Sequence, residues 1–343
     1  YTGLGVECLQ GEATIVSPFA VKIVGADKRE QVLTTKSIII AAGARPYVPE
    51  IPGLAGVPFY TSDTLWSITE LPSRLLILGG GPIGCELAQA FARLGSAVTL
   101  LQRNAQLLPK EDSDVAAFVQ SVFAKEGIRV CLRSSVNAFA VKRDSYTASC
   151  VINGVSEEIA FDAVLIALGR VANTQGYGLE QLGINATPAT TLETNDYLQT
   201  LYPNIYACGD VAGPYQFTHV SSHQAWYASV NALFGRFKKF RADYRVIPHC
   251  TFVDPEVARV GLNAREASEK NIAFEVTRYG IDDLDRAIAD GKAHGFVKVL
   301  TVPGKDTLLG VTIVGEHAGD LIAEYVLAMK QNIGLNKILG TIH

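Results

Sequence analysis

Gly79-Gly80-Gly81-Pro82-Ile83-Gly84 carries glycine at the first, third and sixth positions of a short segment, a spacing that suits a dinucleotide pyrophosphate. The first glycine permits a tight turn, the second lets the backbone approach the phosphates, and the third lets a helix pack closely on the preceding strand. Amides at the helix start then hold the anion. Further along, Gln102-Arg103 stands where NAD sites place an acid on the ribose 2′-hydroxyl. An uncharged acceptor followed by a cation suits a 2′-phosphate instead, so NADPH is expected over NADH, with NADH as the weaker fit. The competing reading makes Arg103 a solvated surface residue. Glu86 reads as an acid favoured near a helix N-terminus. His219 and His223 stand four apart, as two ligands on one helical face would, but no third ligand accompanies them. Asp282, Asp283 and Asp285 read as a solvated turn, and no metal site is expected.

These residues need elements to hold them. Leu75 to Leu78 reads as a buried strand, Cys85 to Leu94 as a helix stopped at Gly95, and Ala97 to Leu101 as a second buried strand, which together make one βαβ unit and imply a parallel sheet. Val115, Phe118, Val119, Val122 and Phe123 recur at helical spacing before Gly127. Tyr146 to Ile152 and Val155 to Phe161 flank Asn153-Gly154, a hairpin signal, and Ala163 to Ala167 reads as another buried strand. Ser37 to Ile40 is a strand leading into a Pro- and Gly-rich connector through Pro58. Asn204 to Cys208 is a strand ending at Gly209-Asp210, and Val220 to Phe234 a long helix. After about Phe240 the pattern becomes α+β, with strands at Val246 to Phe252, Phe296 to Thr301 and Thr307 to Val314, and helices near Ala264 to Lys270 and Gly319 to Gln331.

Composition excludes several classes. The 343 residues, 48% hydrophobic and 19% charged with mean hydropathy +0.19, describe a folded protein of two or three domains, not a disordered one. Thirty Lys and Arg against 34 Asp and Glu leave a net charge of −4, without the basic excess that a nucleic-acid partner requires. The longest uncharged stretch, Val211 to Gly235, holds too many polar groups to span a membrane. Six scattered cysteines argue against a disulfide scaffold and favour a cytoplasmic location. The start at Tyr1, with Met329 the sole methionine, reads as a piece of a longer polypeptide.

Taken in order, the motifs resemble the FAD-dependent pyridine nucleotide-disulfide oxidoreductases, the family of dihydrolipoamide dehydrogenase, glutathione reductase and mercuric reductase. Ile38-Ile-Ile-Ala-Ala-Gly-Ala-Arg-Pro46 resembles the family's ATG segment, with Ala42 and Ala44 in place of Thr and Ser. Gly79 to Glu86 resembles its nicotinamide fingerprint, and Ala167 to Asn173 its G-R-x-P-N segment, with Ala172 in place of Pro. Ala207-Cys-Gly-Asp210 resembles its second flavin motif, and Phe252 to Gly261 the opening of its dimerisation domain.

The resemblance implies an α/β fold in which a Rossmann-like NAD(P) domain is inserted in an FAD domain and followed by an α+β dimerisation domain. It divides the chain into 1–70 (partial FAD domain and linker), 71–190 (NAD(P) domain), 191–240 (second FAD segment) and 241–343 (dimerisation domain). It implies FAD contacts from Ala13, Ala42, Gly43, Ala44, Gly209, Asp210, Thr218 and His219, with Gly169 and Arg170 beside nicotinamide and flavin and Glu86 supporting the flavin. Gly79, Gly80, Gly81, Pro82, Ile83 and Gly84, with Gln102 and Arg103, would hold the nicotinamide nucleotide. A homodimer acting on a small-molecule or metal-ion substrate is implied. The family's C-x4-C pair and first flavin glycine motif are missing from this sequence, and His343 precedes the place of the family's histidine, so a fragment without the dithiol is expected to be inactive alone. The nearest likeness is to mercuric reductase-like members. The alternatives are an NAD-dependent dihydrolipoamide dehydrogenase and a nucleotide-binding redox sensor without turnover.

Overall fold

Leu75, Leu76, Ile77 and Leu78 are each no more than 4% exposed in the computed structural model of the chain, which describes residues 1–142 and 145–342. His343 lies outside the described residues. Burying each such side chain contributes about 1.5–3 kcal/mol, which is why a strand apolar on both faces needs cover on both. The strand β1 (Arg74–Leu78) leads to helix α1 (Pro82–Leu94), strand β2 (Ala97–Gln102), helix α2 (Ser113–Lys125) and strand β3 (Arg129–Leu132). With Phe59–Thr61 and Ala163–Ile166 they form a five-stranded parallel sheet, in which Ala163–Ile166 lies beside β1, then β2, then β3.

Alternate residues of β1 serve opposite faces. Leu75 and Ile77 join Cys85, Ala88 and Phe91 of α1 and Val115, Val119 and Phe123 of α2 in one core. Leu76 and Leu78 join Phe139, Ala148, Ile159 and Phe161 in another, contributed by the antiparallel strands Ser134–Lys142, Ser145–Ile152 and Val155–Phe161. Gly95 stops α1 at φ 111°, its N–H donating to Ala92 and Phe91 carbonyls. Asn153 and Gly154, at φ 50° and 84°, make the hairpin turn.

This body, Pro46–Gly169 with Arg245–His343, is one of two units of the chain. Its later segment is a five-stranded antiparallel sheet in the order Pro248–Thr251, Glu256–Gly261, Leu308–Gly315, Phe296–Thr301, Glu275–Gly280. The helix Ala318–Lys330 packs on it through Ala318, Ile322 and Ala328. The second unit, Tyr1–Arg45 with Arg170–Tyr244, contains the parallel pair Ile38–Ile40 and Ile205–Ala207, the helix Thr218–Phe234, and the antiparallel sheet Glu12–Ser17, Ala20–Val24, Glu30–Thr34.

Packing decides where the connecting segments go. Residues 170–190 fold in the second unit, where Leu179 and Ile184 join Ile15, Ile38 and Ile205 in a core and the Ile15 N–H donates to the Tyr177 carbonyl at 2.9 Å. Leu54 and Val57, within the Pro- and Gly-rich connector, instead share a core with Phe139 and Phe161 in the first. Among the described residues, no helix is long and apolar enough to cross a membrane.

Candidate functional site

The loop between β1 and α1 is shaped by contacts that only glycine allows. Gly79 has φ 109°, and a side chain there would run into the Ala167 carbonyl. A side chain at Gly84 would run into the carbonyl of Gly79, while one at Gly80 would meet Leu107 and Gln102. Gly81 is different: nothing stands within 4 Å of the place its Cβ would take. The loop is therefore pinned at both ends and open in the middle. Gly81 caps α1 and Pro82 opens it, a position where the missing N–H costs nothing. No acid occupies the first turn of α1, so the positive end of the helix faces the opening uncompensated.

Gln102 and Arg103 close β2 but face different surroundings. Gln102 is 7% exposed, its Oε1 accepting from the Gly80 N–H at 3.4 Å and its Nε2 donating to the Gln106 carbonyl at 3.3 Å. Its amide braces the glycine loop from within. Arg103 is exposed and has no ion pair among the described residues.

Glu86 looks along α1 toward the antiparallel sheet segment. Its Oε1 accepts from the Phe252 N–H at 2.9 Å; burial pushes its pKa up, and the Phe252 amide opposes that rise. One turn later Gln89 grips Asp254 from both sides, accepting its N–H at 2.7 Å and donating to its carbonyl at 2.8 Å. Helix α1 thus holds Phe252 and Asp254 by two side chains three residues apart. Sequence reading had placed Glu86 near the helix start without its partner. The only local signal for Gln89 is a polar residue on an otherwise apolar helical face.

In the other unit Gly209 has φ 75° and donates its N–H to Gln224 Oε1 at 2.7 Å. Gln224 is fully buried and donates to the Gly213 carbonyl and to Tyr244 Oη, each at 2.7 Å. It is a positioning residue that sequence reading missed, since a glutamine in a partly polar helix gives no sign of burial. Asp210, 22% exposed at its side chain, stands 3.7 Å from Arg170 Nε and accepts from Ser221 Oγ at 3.5 Å. Arg170 donates to the Ala44 carbonyl at 2.7 Å, and Asn173 donates to the Ala42 carbonyl from its side-chain amide at 2.9 Å and to the Gly43 carbonyl from its backbone N–H at 3.0 Å. The segments 42–44 and 170–173 are therefore laced together, bringing Ala42, Gly43, Ala44, Arg170 and Asp210 to one place. Thr218 and His219 open the helix Thr218–Phe234, whose first turn holds no acid, and His219 stacks on Phe217 at 5.4 Å. Ala13 lies exposed on the strand Glu12–Ser17, paired with Ile23. Gly169, at φ 109°, ends the described unit that holds the glycine loop, and Arg170 begins the other.

All six cysteines are free thiols. Burial pushes Cys85 up to about 12, Cys150 to about 11 and, with neighbouring carboxylates, Cys250 to about 12. Cys131 and Cys208 are raised by burial as well. None of these five is poised as a thiolate at neutral pH. Among the described residues no group of three or more His, Cys, Asp or Glu could hold a metal ion.

An open glycine loop at the carboxyl edge of a parallel sheet is the arrangement of a doubly wound α/β domain, whose ligands lie at that edge. Residues 3–225 match the pyridine nucleotide-disulphide oxidoreductase family, and residues 247–343 match the dimerisation domain of that family. The chain belongs to the pyridine nucleotide-disulphide oxidoreductases, a family of FAD-dependent enzymes that use a pyridine nucleotide. It is similar to a dihydrolipoyl dehydrogenase of Chlamydia trachomatis, 34% identical over 340 residues that cover 98% of this chain and 71% of the relative. It is also similar to a mercuric reductase of Staphylococcus aureus, 33% identical over 326 residues that cover 95% of this chain and 58% of the relative. Among solved structures, the HOCl-induced flavoprotein disulfide reductase RclA of Escherichia coli superposes with a TM-score of 0.88 at 27% identity, covering 98% of this chain and 76% of that one.

Proposed function

We propose that the chain forms the nucleotide-handling body of a homodimeric, cytoplasmic flavoprotein reductase that takes a hydride from NADPH and passes its two electrons to a disulfide, thiol-bound or metal-ion acceptor, as a mercuric reductase-like enzyme. In this reading 1–70 and 191–240 serve FAD, 71–190 serves the nicotinamide nucleotide, although 170–190 pack in the unit that holds Tyr1–Arg45, and 241–343 serves dimerisation. Bound FAD would supply the two-electron relay between nucleotide and acceptor. Asp210 would accept a hydrogen bond from the flavin's ribityl chain, the amides of Thr218 and His219 would face the flavin, and Ala13, Ala42, Gly43 and Ala44 would line its approach. Gly79 to Gly84 would hold the pyrophosphate of the nucleotide on the helix α1 amides. Gln102 would keep the loop in shape, and Arg103 would pair with a 2′-phosphate. Gly169 and Arg170 would lie beside the nicotinamide and flavin, and Glu86 would support the flavin.

The observation that carries this reading is the open space at Gly81 between two glycines that tolerate no side chain. It lies at the start of α1, whose first turn holds no acid, an end that suits an anion. The residues therefore fit a dinucleotide.

A second reading, an NAD-dependent dihydrolipoamide dehydrogenase, draws on relatives named dihydrolipoyl dehydrogenase. Arg103 separates the two. Steady-state oxidation of NADPH and of NADH by the purified full-length protein, with disulfide, lipoamide and mercuric-ion acceptors, tests both. A higher kcat/KM with NADPH supports the leading reading, and a higher value with NADH plus lipoamide supports the second. Nucleotide binding without turnover on any acceptor would favour a sensor over either enzyme.

A further inference from the structure

Arg133 follows β3 and lies in register beside Arg103. The strands pair Gln102 with Leu132, so the next residue on each is an arginine at the carboxyl edge of the sheet. The Arg133 N–H donates to the Asn104 carbonyl at 3.0 Å, which brings the backbone of one arginine against the residue after the other. Both side chains are exposed, and neither has an ion pair among the described residues.

Two exposed cations just past the ends of neighbouring strands make this edge of the sheet positive, a surface that suits an anion. Residues 102–110 and 130–142 contain no acid. Arg129, on the same strand, shows the contrast, since it is paired with Glu157 at 2.7 Å. Arg133 is also held in the left-handed region at φ 48°, fixed by the Asn104 carbonyl on one side and by the Asn153 N–H, which donates to its carbonyl at 3.2 Å, on the other. A non-glycine residue there is strained, and strain of this kind persists where the surroundings impose it. A cleft of about 270 Å³ opens beside Arg133, lined by Ala105, Gln120, Val130, Leu132, Arg133 and Asn153; Arg103 stands outside its wall.

We propose that Arg133 is a second determinant of nucleotide specificity, completing with Arg103 a two-cation clamp for the 2′-phosphate of NADPH. The proposal rests on the NADPH reading above and adds to it a residue from the neighbouring strand. Two guanidinium groups can share a dianionic phosphate that a single exposed cation would hold weakly.

The test is calorimetric titration of the full-length holoprotein with NADP⁺ and NAD⁺, which needs no turnover. Arg133→Asn removes the charge yet keeps a residue comfortable at positive φ, so folding is protected. The expected result is a loss of NADP⁺ affinity of about tenfold with a change of less than about twofold for NAD⁺, and no such difference for Arg129→Asn. Equal affinity of the unaltered protein for the two nucleotides would overturn the NADPH reading and the clamp together. Preference for NADP⁺ that survives Arg133→Asn but collapses in Arg103→Asn would overturn the clamp alone. Equal losses for both nucleotides would also overturn it, because the 2′-phosphate is the one feature that distinguishes them.

Discussion

The carbonyl oxygen of Gly79 occupies the space that a side chain at Gly84 would need, so the strand end and the helix start are in direct backbone contact. Gly84→Ala is expected to force the two apart and cost about 3 kcal/mol, seen as a lower midpoint in urea unfolding. Gly81→Ala meets no neighbour and should change stability by less than about 0.5 kcal/mol. It should nevertheless weaken nucleotide binding by about tenfold, because the added methyl enters the space reserved for the phosphates. A Gly81→Ala protein that binds nucleotide normally would remove the role given to that opening.

Arg103 is exposed at the end of β2 and carries the choice of nucleotide in this account. Arg103→Glu should raise the KM for NADPH relative to that for NADH by about thirtyfold, since a charge-assisted contact is replaced by repulsion. Parallel steady-state measurements with both nucleotides check this. Equal effects on the two would return Arg103 to the solvated surface.

Lys298 sits buried with its Nζ 2.7 Å from Asp112 Oδ2 and 2.7 Å from Asp114 Oδ1. Asp112 also accepts the N–H groups of Ala264 and Arg265 at 3.2 and 3.0 Å. Lys298→Met leaves the buried carboxylate without its cation and is expected to cost about 3 kcal/mol. Denaturant unfolding gives the number; a loss under about 1 kcal/mol would mean that the pair behaves as a surface one.

Acid should weaken the same region. Burial alone would raise the pKa of Glu111, but the His249 imidazole at 3.1 Å and the Arg259 guanidinium at 3.0 Å hold it below the usual carboxylate range. Asp112 and Asp254 are also held low, against the burial that opposes it, by Lys298 and Arg93 respectively. A depressed folded-state pKa contributes stability above the unfolded value, 4.5 for Glu and 3.8 for Asp, that is lost as pH falls through the folded value. Glu86 works in the opposite sense, since its raised pKa penalises the ionised form at neutral pH. Unfolding free energies between pH 7 and pH 3 should therefore fall most steeply below about pH 4.5, and Glu111→Gln should flatten that limb while lowering stability at pH 7. An unchanged acid limb in Glu111→Gln would show that the network is not what acid breaks.

Local chemistry explains why some of this could be read from the sequence. Asn153-Gly154 adopts positive φ at both positions, and Gly95 ends α1 in the left-handed region, because few other residues serve those places. The run Leu75 to Leu78 declared a strand buried on both faces. The strand Glu30–Thr34 was missed because all five of its residues are exposed and no alternation marks it. Glu275–Gly280 failed for the same reason, being an edge strand with five of its six residues exposed. Glu86 with Phe252 and Glu111 with Arg259 were out of reach for a different reason: their partners lie 166 and 148 residues away, and nothing local encodes such pairings.

The most direct measurement is anaerobic titration of the full-length, flavin-loaded protein with NADPH and with NADH, following flavin absorbance. NADPH should bleach the flavin stoichiometrically at lower concentration than NADH, with Arg103→Glu reversing the order. Protein that retains no flavin, or flavin that neither nucleotide reduces, would contradict it.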